Sequence, residues 1–191
     1  MKRTTLLLAS ATAILSALPA LAEPESYTVD PRHTFPIYEV GHLGYSIQRG
    51  RFNKTSGKIT LDTAAKSGSA DITIDAASVS TGVDKLDEHL RSEDFFNVAK
   101  NPQITFKSTS LAFDGENVKS ATGDLTMNGI TKPVTLKVVM FHCGPHPMTK
   151  KKQCGGDLTT TVKRSDFGMK YALPALADDV TLHIGVEAIK D

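Results

Sequence analysis

Alternation of apolar and polar residues with a period of two dominates this sequence of 191 residues and constrains its fold most strongly. The clearest example covers residues 70–76, whose apolar face carries Ala70, Ile72, Ile74 and Ala76. Such alternation is typical of a β-strand with one buried face. The pattern returns over residues 134–140, 158–163 and 180–188. The sequence therefore predicts an all-β fold.

Weaker alternation and turn signals extend this pattern along the chain. Four further segments alternate less regularly: residues 37–47, 52–61, 104–113 and 118–127. In the third segment the apolar parity switches between Phe106 and Leu111, which predicts a β-bulge near residues 108–110. Two hairpin dipeptides separate apolar runs, Asp114-Gly115 and Asn128-Gly129. Together these signals predict an extended antiparallel β-barrel of about eight strands.

One segment has helical periodicity instead. Its apolar residues recur three and four positions apart, at Val83, Leu86 and Leu90. Thr81 and Asp84 are spaced as a capping-box-like pair, so we expect a short amphipathic helix near residues 82–92. Because Phe95 and Phe96 follow directly, the helix and this aromatic pair should cover the mouth or side of the barrel.

The first residues have the composition of an export signal. Lys2 and Arg3 precede an uncharged run, and the small residues Ala20 and Ala22 supply a cleavage pattern. We expect residues 1–22 to be removed as a signal peptide and residues 23–191 to form one domain. Loss of the two cations leaves a net charge near zero, so nucleic acid is not an expected partner.

Motif searches predict no enzyme and no cofactor. The sequence contains no nucleophile elbow, zinc-protease helix, phosphate loop or dinucleotide fingerprint. Cys143 and Cys154 flank a loop rich in Gly, Pro and Lys, and an oxidising compartment favours a disulfide between them. Free thiols remain possible, and so does a metal site that combines the cysteines with His142 and His146. In that case the chain would be a metal-linked or redox-stress interaction protein.

Four segments of the sequence carry a family resemblance. They are Phe35-Pro36-Ile37-Tyr38-Glu39-Val40-Gly41-His42-Leu43-Gly44, His89-Leu90-Arg91-Ser92-Glu93-Asp94-Phe95-Phe96, Gly123-Asp124-Leu125-Thr126-Met127-Asn128-Gly129-Ile130-Thr131-Lys132-Pro133-Val134 and Asp166-Phe167-Gly168-Met169. In this order they resemble the YceI-like polyisoprenoid-binding family. The resemblance implies a lipocalin-like barrel, a periplasmic location and no catalytic residues. It also implies an internal tunnel for a long isoprenoid, either a quinone tail or a polyprenyl compound.

The tunnel lining is predicted from strand parity together with this resemblance. The candidate ligand-binding residues are Val40, His42, Phe52, Ile72, Ile74, Leu86, Leu90, Phe95, Phe96, Ile104, Phe106, Leu125, Met127, Leu136, Val138, Phe167, Leu182 and Ile184. The alternative is an ordinary solid barrel core. Small residues on inferred inward faces favour a tunnel, so Ala121→Phe or Gly123→Phe should block a ligand. Folding should suffer less than in a solid core, where overpacking costs about 1–3 kcal/mol.

The predicted function is non-enzymatic binding, storage or transport of this isoprenoid lipid. His42 is either a polar contact to the ligand headgroup or a structural hydrogen-bonding residue. The lysine run at residues 150–152 is either a solvated loop tip or a transient contact with anionic lipid headgroups at a membrane surface. The sequence leaves a homodimer open.

Overall fold

The structure, a computed structural model, describes residues 23–191. The predicted signal peptide, residues 1–22, lies outside the described part of the chain. The strands are β1 (Glu25–Val29), β2 (Phe35–His42), β3 (Ser46–Phe52), β4 (Thr55–Asp62), β5 (Ser67–Asp75), β6 (Val79–Ser80), β7 (Gln103–Asp114), β8 (Asn117–Met127), β9 (Ile130–Pro145), β10 (Lys152–Lys163) and β11 (Leu176–Lys190). The helix α1 spans Asp84–Arg91, and 3-10 turns lie at Ala76–Ser78 and Arg164–Phe167.

Eight of these strands form a closed antiparallel ring. Their order is β1-β4-β5-β7-β8-β9-β10-β11, and β11 pairs back onto β1. The long β11 pairs with β1 from Ala188 to Lys190 and with β2 from Leu176 to Gly185. The wall formed by β2, β3 and β6 therefore extends the ring at one end. The predicted eight-stranded, extended, lipocalin-like barrel with one short helix is confirmed.

The predicted bulge and hairpin turns are present. The register between β7 and β8 shifts between Ser108 and Ser110, where the parity switch predicted it. The last pair of the β7–β8 hairpin is Asp114 with Asn117, and that of the β8–β9 hairpin is Met127 with Ile130. The β8–β9 turn is therefore centred on Asn128-Gly129 as predicted, whereas the β7–β8 turn is centred on Gly115-Glu116, one residue later than the predicted dipeptide.

Two of the weaker segments differ from their predicted form. The segment over residues 37–47 is a hairpin rather than one strand, because Leu43 and Gly44 adopt left-handed φ values of 53° and 74°. Leu43-Gly44 is not a usual hairpin dipeptide, so the turn gave little signal. The segment over residues 52–61 is also interrupted, since β3 ends at Phe52 and β4 begins at Thr55.

The helix is present, but its N-terminus differs from the prediction. It begins at Asp84, and Val83 is the N-cap residue, with 56% of its surface exposed. Thr81 does not cap the helix. Its backbone N–H and its hydroxyl both donate to Oδ1 of the buried Asp87, at 2.7 and 2.6 Å. The apolar face expected at Val83, Leu86 and Leu90 is therefore reduced to the last two residues.

The barrel interior contains two apolar clusters. The larger one lies beneath α1 and includes Phe52, Phe95, Phe106 and Phe167. The smaller one lies near the β9–β10 hairpin and includes Tyr27, Leu61, Val118 and Cys154. No helix within residues 23–191 is long and apolar enough to cross a membrane.

Candidate functional site

A cavity of about 590 Å³ opens beneath α1 at one end of the barrel. Nine of the residues predicted from the sequence line it: Val40, His42, Phe52, Leu86, Leu90, Phe95, Phe96, Met127 and Leu182. Its wall also contains residues that the prediction missed, among them Tyr38, Val162, Met169, Leu176 and Val180. Most of the missed residues follow the inward parity of β2, β10 and β11, so the alternation signal could have included them.

The other predicted residues do not line this cavity. Ile104, Phe106, Leu125, Leu136 and Phe167 are buried in the larger cluster, and Ile72, Ile74 and Ile184 pack against it. Val138 lines a second apolar cavity of about 80 Å³ near the β9–β10 hairpin. The linings of the two cavities share no residue. Packed side chains therefore divide the interior, and contact between these residues and a ligand stays a prediction.

Contacts between aromatic rings hold α1 and the residues after it over the large cavity. The ring centroids of Phe96 and of Phe52 on β3 lie 5.3 Å apart. The ring centroids of His89 and Phe95 lie 5.1 Å apart, and Tyr171 packs edge-on against both of them. His89 also bonds Asp94 at 2.9 Å, between its Nε2 and the carboxylate Oδ2. The helix is thereby joined to the loop that contains Tyr171, and both border the mouth of the cavity.

Arg164, a buried residue, holds the loop that contains Tyr171 in place. Only 4% of its surface is exposed, and its guanidinium donates to the backbone carbonyls of Met169, Leu176 and Ala177 at 2.9–3.3 Å. Burial lowers the pKa of Arg164, while the nearby charge of Asp178 raises it. The side chain is therefore a positioning residue that holds the segment from Gly168 to Leu176 against the barrel end.

Tyr38 contributes a buried hydroxyl at the inner end of the cavity. Its ring lies across Gly50 of β3, where a Cβ atom would come within 2.2 Å of Oη. The hydroxyl finds no hydrogen-bond partner within the described residues. Burial raises the pKa of Tyr38, and the negative charge of Asp87 raises it further. Tyr38 therefore stays neutral and presents mainly its aromatic surface.

The charges of the lining are unevenly distributed. The basic groups that border the cavity are the imidazoles of His42 and His89 and the guanidinium groups of Arg49 and Arg164, with no Asp or Glu among the lining residues. Arg49 is paired with Glu39 at 2.7 Å across β2 and β3. An apolar chain fits the wall, and a neutral head fits the mouth, because Arg49 is paired and Arg164 is buried.

The predicted disulfide between Cys143 and Cys154 is confirmed. The two residues form a directly opposed pair on β9 and β10, with their Cα atoms 4.1 Å apart. Both sulfurs are used in this bond, so the four-ligand metal alternative with His142 and His146 is not formed. Nδ1 of His146 instead accepts two backbone N–H groups of the hairpin turn. Across residues 23–191, no group of three His, Cys, Asp or Glu side chains is placed to hold a metal ion.

The two small residues proposed for blocking a tunnel have different surroundings. Ala121 is buried and lines the smaller cavity. A Cβ atom at Gly123 would lie 2.3 Å from the backbone oxygen of Lys107. The expectation that Gly123→Phe would spare the fold is wrong, because the β7 bulge brings backbone against this glycine.

Comparisons with known proteins place this architecture in a family. Residues 27–188 match the YceI-like domain. A UPF0312 protein of Pseudomonas aeruginosa and the protein YceI of Escherichia coli O157:H7 are each 39% identical over 193 residues, covering 100% of this chain and 99% of the relative. The crystal structure of Burkholderia cenocepacia BcnA has a TM-score of 0.70 and 27% identity, covering 83% of this chain and 98% of that one. A polyisoprenoid-binding domain from Saccharophagus degradans shares the fold, with a TM-score of 0.64, 16% identity and coverage of 87% and 99%. The chain belongs to the YceI-like family.

Proposed function

We propose that this chain binds an isoprenoid lipid in the cavity beneath α1 and stores or carries it in the periplasm without chemical change. The observation that carries the proposal is the cavity itself. Its volume of about 590 Å³ lies within the roughly 300–1,000 Å³ typical of ligand pockets. The name of the Saccharophagus degradans neighbour supports the isoprenoid class. A quinone tail or a polyprenyl compound has the slender apolar shape that this wall accepts.

The free energy of such binding would come from burial of the chain. Each buried methylene contributes about 0.8 kcal/mol, so an isoprene unit gains a few kcal/mol. Association itself costs roughly 4–15 kcal/mol in lost translational and rotational freedom. Several isoprene units must therefore enter the cavity before binding becomes tight. The proposal thus favours long isoprenoids over short ones.

Two features support the periplasmic part of the proposal. The sequence begins with the pattern of a cleaved signal peptide over residues 1–22. The disulfide between Cys143 and Cys154 is a bond that forms and persists in oxidising compartments. Fractionation of cells that express the full chain would test this. Recovery in the cytoplasm with residues 1–22 still attached would contradict the proposed location.

Ligand identity can be tested directly. The full chain is expressed in its native host and purified without detergent, and the organic extract is analysed by mass spectrometry. We expect an isoprenoid in an amount approaching one molecule per chain. An extract free of isoprenoids, together with failure of the purified protein to bind geranylgeraniol, would contradict the proposal.

A cavity-filling variant tests the site. Val180→Phe places a ring in the cavity from the half-buried inward face of β11. Because the ring occupies open space, we expect at least a tenfold loss of geranylgeraniol affinity with only a small change in melting temperature. The matched control is Val139→Phe, at a side chain that is 68% exposed on the outer face. Equal affinities of both variants would show that the ligand lies elsewhere.

A further inference from the structure

Exposed apolar side chains are concentrated at the mouth of the large cavity. Three segments border this mouth: the β2–β3 turn, α1, and the loop between Gly168 and Leu176. They carry six large apolar or aromatic residues that are 38–89% exposed, here called the mouth rim: Leu43, Tyr45, Ile47, Val83, Leu86 and Tyr171. Single exposed apolar residues are common on soluble domains, whereas a cluster around a cavity entrance marks an interaction surface.

The rim is continuous with the apolar wall of the cavity. Leu43, Leu86 and Tyr171 line the cavity and are also exposed to solvent. The backbone N–H of Leu43 donates to the carbonyl oxygen of Ala175 at 3.1 Å, which joins the β2–β3 turn to the loop. A lipid chain that crosses this rim would stay in contact with apolar surface on its way into the cavity.

The charges around the rim fit a phospholipid surface. Residues 40–49 and 168–177 contain no Asp or Glu, and they carry His42, Arg49 and Lys170. The acidic residues of the mouth segments lie on α1, at Asp84, Asp87 and Glu88. Tyr45 and Tyr171 are amphipathic side chains of the kind enriched at the headgroup level of membranes. Arg49 is paired with Glu39, so Lys170 is the one Lys or Arg of these two segments without an ion pair among residues 23–191. The β2–β3 turn and the 168–177 loop therefore offer mainly apolar and aromatic area.

We propose that the mouth rim docks onto the surface of a phospholipid bilayer, so that an isoprenoid passes between membrane and cavity without crossing water. The inference goes beyond lipid binding in solution, because docking requires no ligand. It also differs from a membrane contact at the lysine run, residues 150–152. The last residue of that run, Lys152, is the first residue of β10, and Val162, near the end of β10, lines the large cavity. The two sites therefore lie roughly 35 Å apart along the strand.

Vesicle flotation tests the docking. The full chain, purified and freed of lipid, is mixed with phosphatidylcholine vesicles with or without a minority of phosphatidylglycerol. The double variant Tyr45→Ser/Ile47→Ser removes two exposed rim side chains. We expect the native chain to float with both kinds of vesicle, because the rim is mainly apolar. The double variant should bind at least tenfold more weakly, because little apolar area remains to enter the interface.

Two controls separate the rim from general surface hydrophobicity and from the lipid cavity. Val139→Ser/Met148→Ser removes exposed apolar side chains from other parts of the barrel and should leave vesicle binding unchanged. Binding of geranylgeraniol supplied from cyclodextrin should be the same for the native chain and the rim variant. Loss of vesicle binding with intact geranylgeraniol binding supports docking independently of the cavity.

Other outcomes would overturn the proposal. If the native chain does not float, or if the rim and control variants bind vesicles alike, the rim does not contact a bilayer. If the native chain is a dimer by analytical ultracentrifugation and the rim variant is a monomer, a second copy of the chain covers the rim instead. Transfer of geranylgeraniol from vesicles should also become faster as vesicle concentration rises, and a rate independent of concentration would contradict direct docking.

Discussion

Tyr27 and Tyr38 differ in whether the hydroxyl group has a hydrogen-bond partner, and this difference affects the stability of the fold. The hydroxyl of Tyr27, on β1, donates to the carboxylate of Glu25, and burial together with Glu25 raises the pKa of Tyr27. The hydroxyl of Tyr38, on β2, is buried and has no partner within the described residues. A buried hydroxyl without a hydrogen bond is destabilising, whereas a bonded one is roughly neutral or favourable.

The two Tyr→Phe variants should therefore change the free energy of unfolding in opposite directions. We expect Tyr27→Phe to lower it by about 1–2 kcal/mol, because Glu25 loses a donor. Tyr38→Phe should leave it unchanged or raise it by about 1 kcal/mol, since an unsatisfied polar atom is removed. Urea denaturation at neutral pH measures both. A loss of stability in Tyr38→Phe equal to that in Tyr27→Phe would show that the Tyr38 hydroxyl has a partner in solution.

Residue-level prediction from the sequence succeeded where parity alone decides the position. Leu182 and Met127 face the large cavity because their strands alternate regularly. The burial of Asp87 could not be predicted in this way. Its carboxylate is satisfied by Thr81, a contact that depends on the path of the chain before α1. Gly123 was misjudged because strand parity gives the direction of a side chain but not the approach of a neighbouring bulge.

At the scale of elements, the closure between β1 and β11 is the shortest pairing in the ring. Only three residue pairs join these strands, from Tyr27 with Lys190 to Val29 with Ala188. Glu25 reinforces the seam by bonding Lys190 at 2.8 Å and Lys152 of β10. Lys152, then Lys190 and the Tyr27 hydroxyl, lower the pKa of Glu25 to about 2. The charged form of this carboxylate therefore holds three strands together.

This pKa predicts how acid weakens the barrel. Because the folded pKa of Glu25 lies below the unfolded value, its contribution is fully present above pH 4.5 and is lost as the pH falls towards 2. After allowance for solvent screening, the free energy of unfolding of Glu25→Gln at pH 7 should be about 1 kcal/mol lower than that of the native chain. The difference should shrink as the pH falls below 4.5 and disappear towards pH 2, as measured by urea denaturation across that range. A constant difference between the two proteins at every pH would contradict this role for Glu25.

Element-level prediction worked best for the long strands. Regular alternation and the two hairpin dipeptides identified the central hairpins, although the β7–β8 turn is centred on Gly115-Glu116, one residue beyond the Asp114-Gly115 dipeptide. The β2–β3 hairpin was missed because Leu43 adopts positive φ, a conformation that its side chain does not favour. The closure of β11 onto β1 was implied by the family resemblance, since alternation within a strand carries no information about its partner at the end of the chain.

At the scale of the whole molecule, the barrel interior contains two separate cavities with packed side chains between them. The large cavity ends near the paired residues Tyr38 and Leu182, and the small cavity begins near Ala121. Side chains of the larger cluster fill the space between, including Phe106, Leu125 and Leu136. The sequence predicted apolar inward faces correctly. It could not predict where they pack against one another, because filled and hollow barrels share the same alternation.

This division predicts a limit on the chain length that the native protein accepts. Leu136 pairs in register with Ala121, so its side chain lies between the packed cluster and the small cavity. Leu136→Ala removes part of that partition and should lower the free energy of unfolding by about 2–5 kcal/mol. Because the new space extends towards the second cavity, the variant should gain affinity for the long alcohol solanesol relative to the shorter geranylgeraniol. We expect the ratio of the two affinities to rise several-fold.

Ligand titration and thermal unfolding together would decide between a partition and a flexible core. Both alcohols are supplied from cyclodextrin, and Val139→Ala on the outer face serves as the control that alters neither cavity. Bound ligand raises the free energy of unfolding by RT ln(1 + [L]/Kd) and so raises the melting temperature. Solanesol should therefore stabilise Leu136→Ala more than geranylgeraniol does. If the native chain already prefers solanesol as strongly as the variant does, the packed side chains must rearrange to admit the longer lipid. The partition at Leu136 would then be a property of the empty barrel alone.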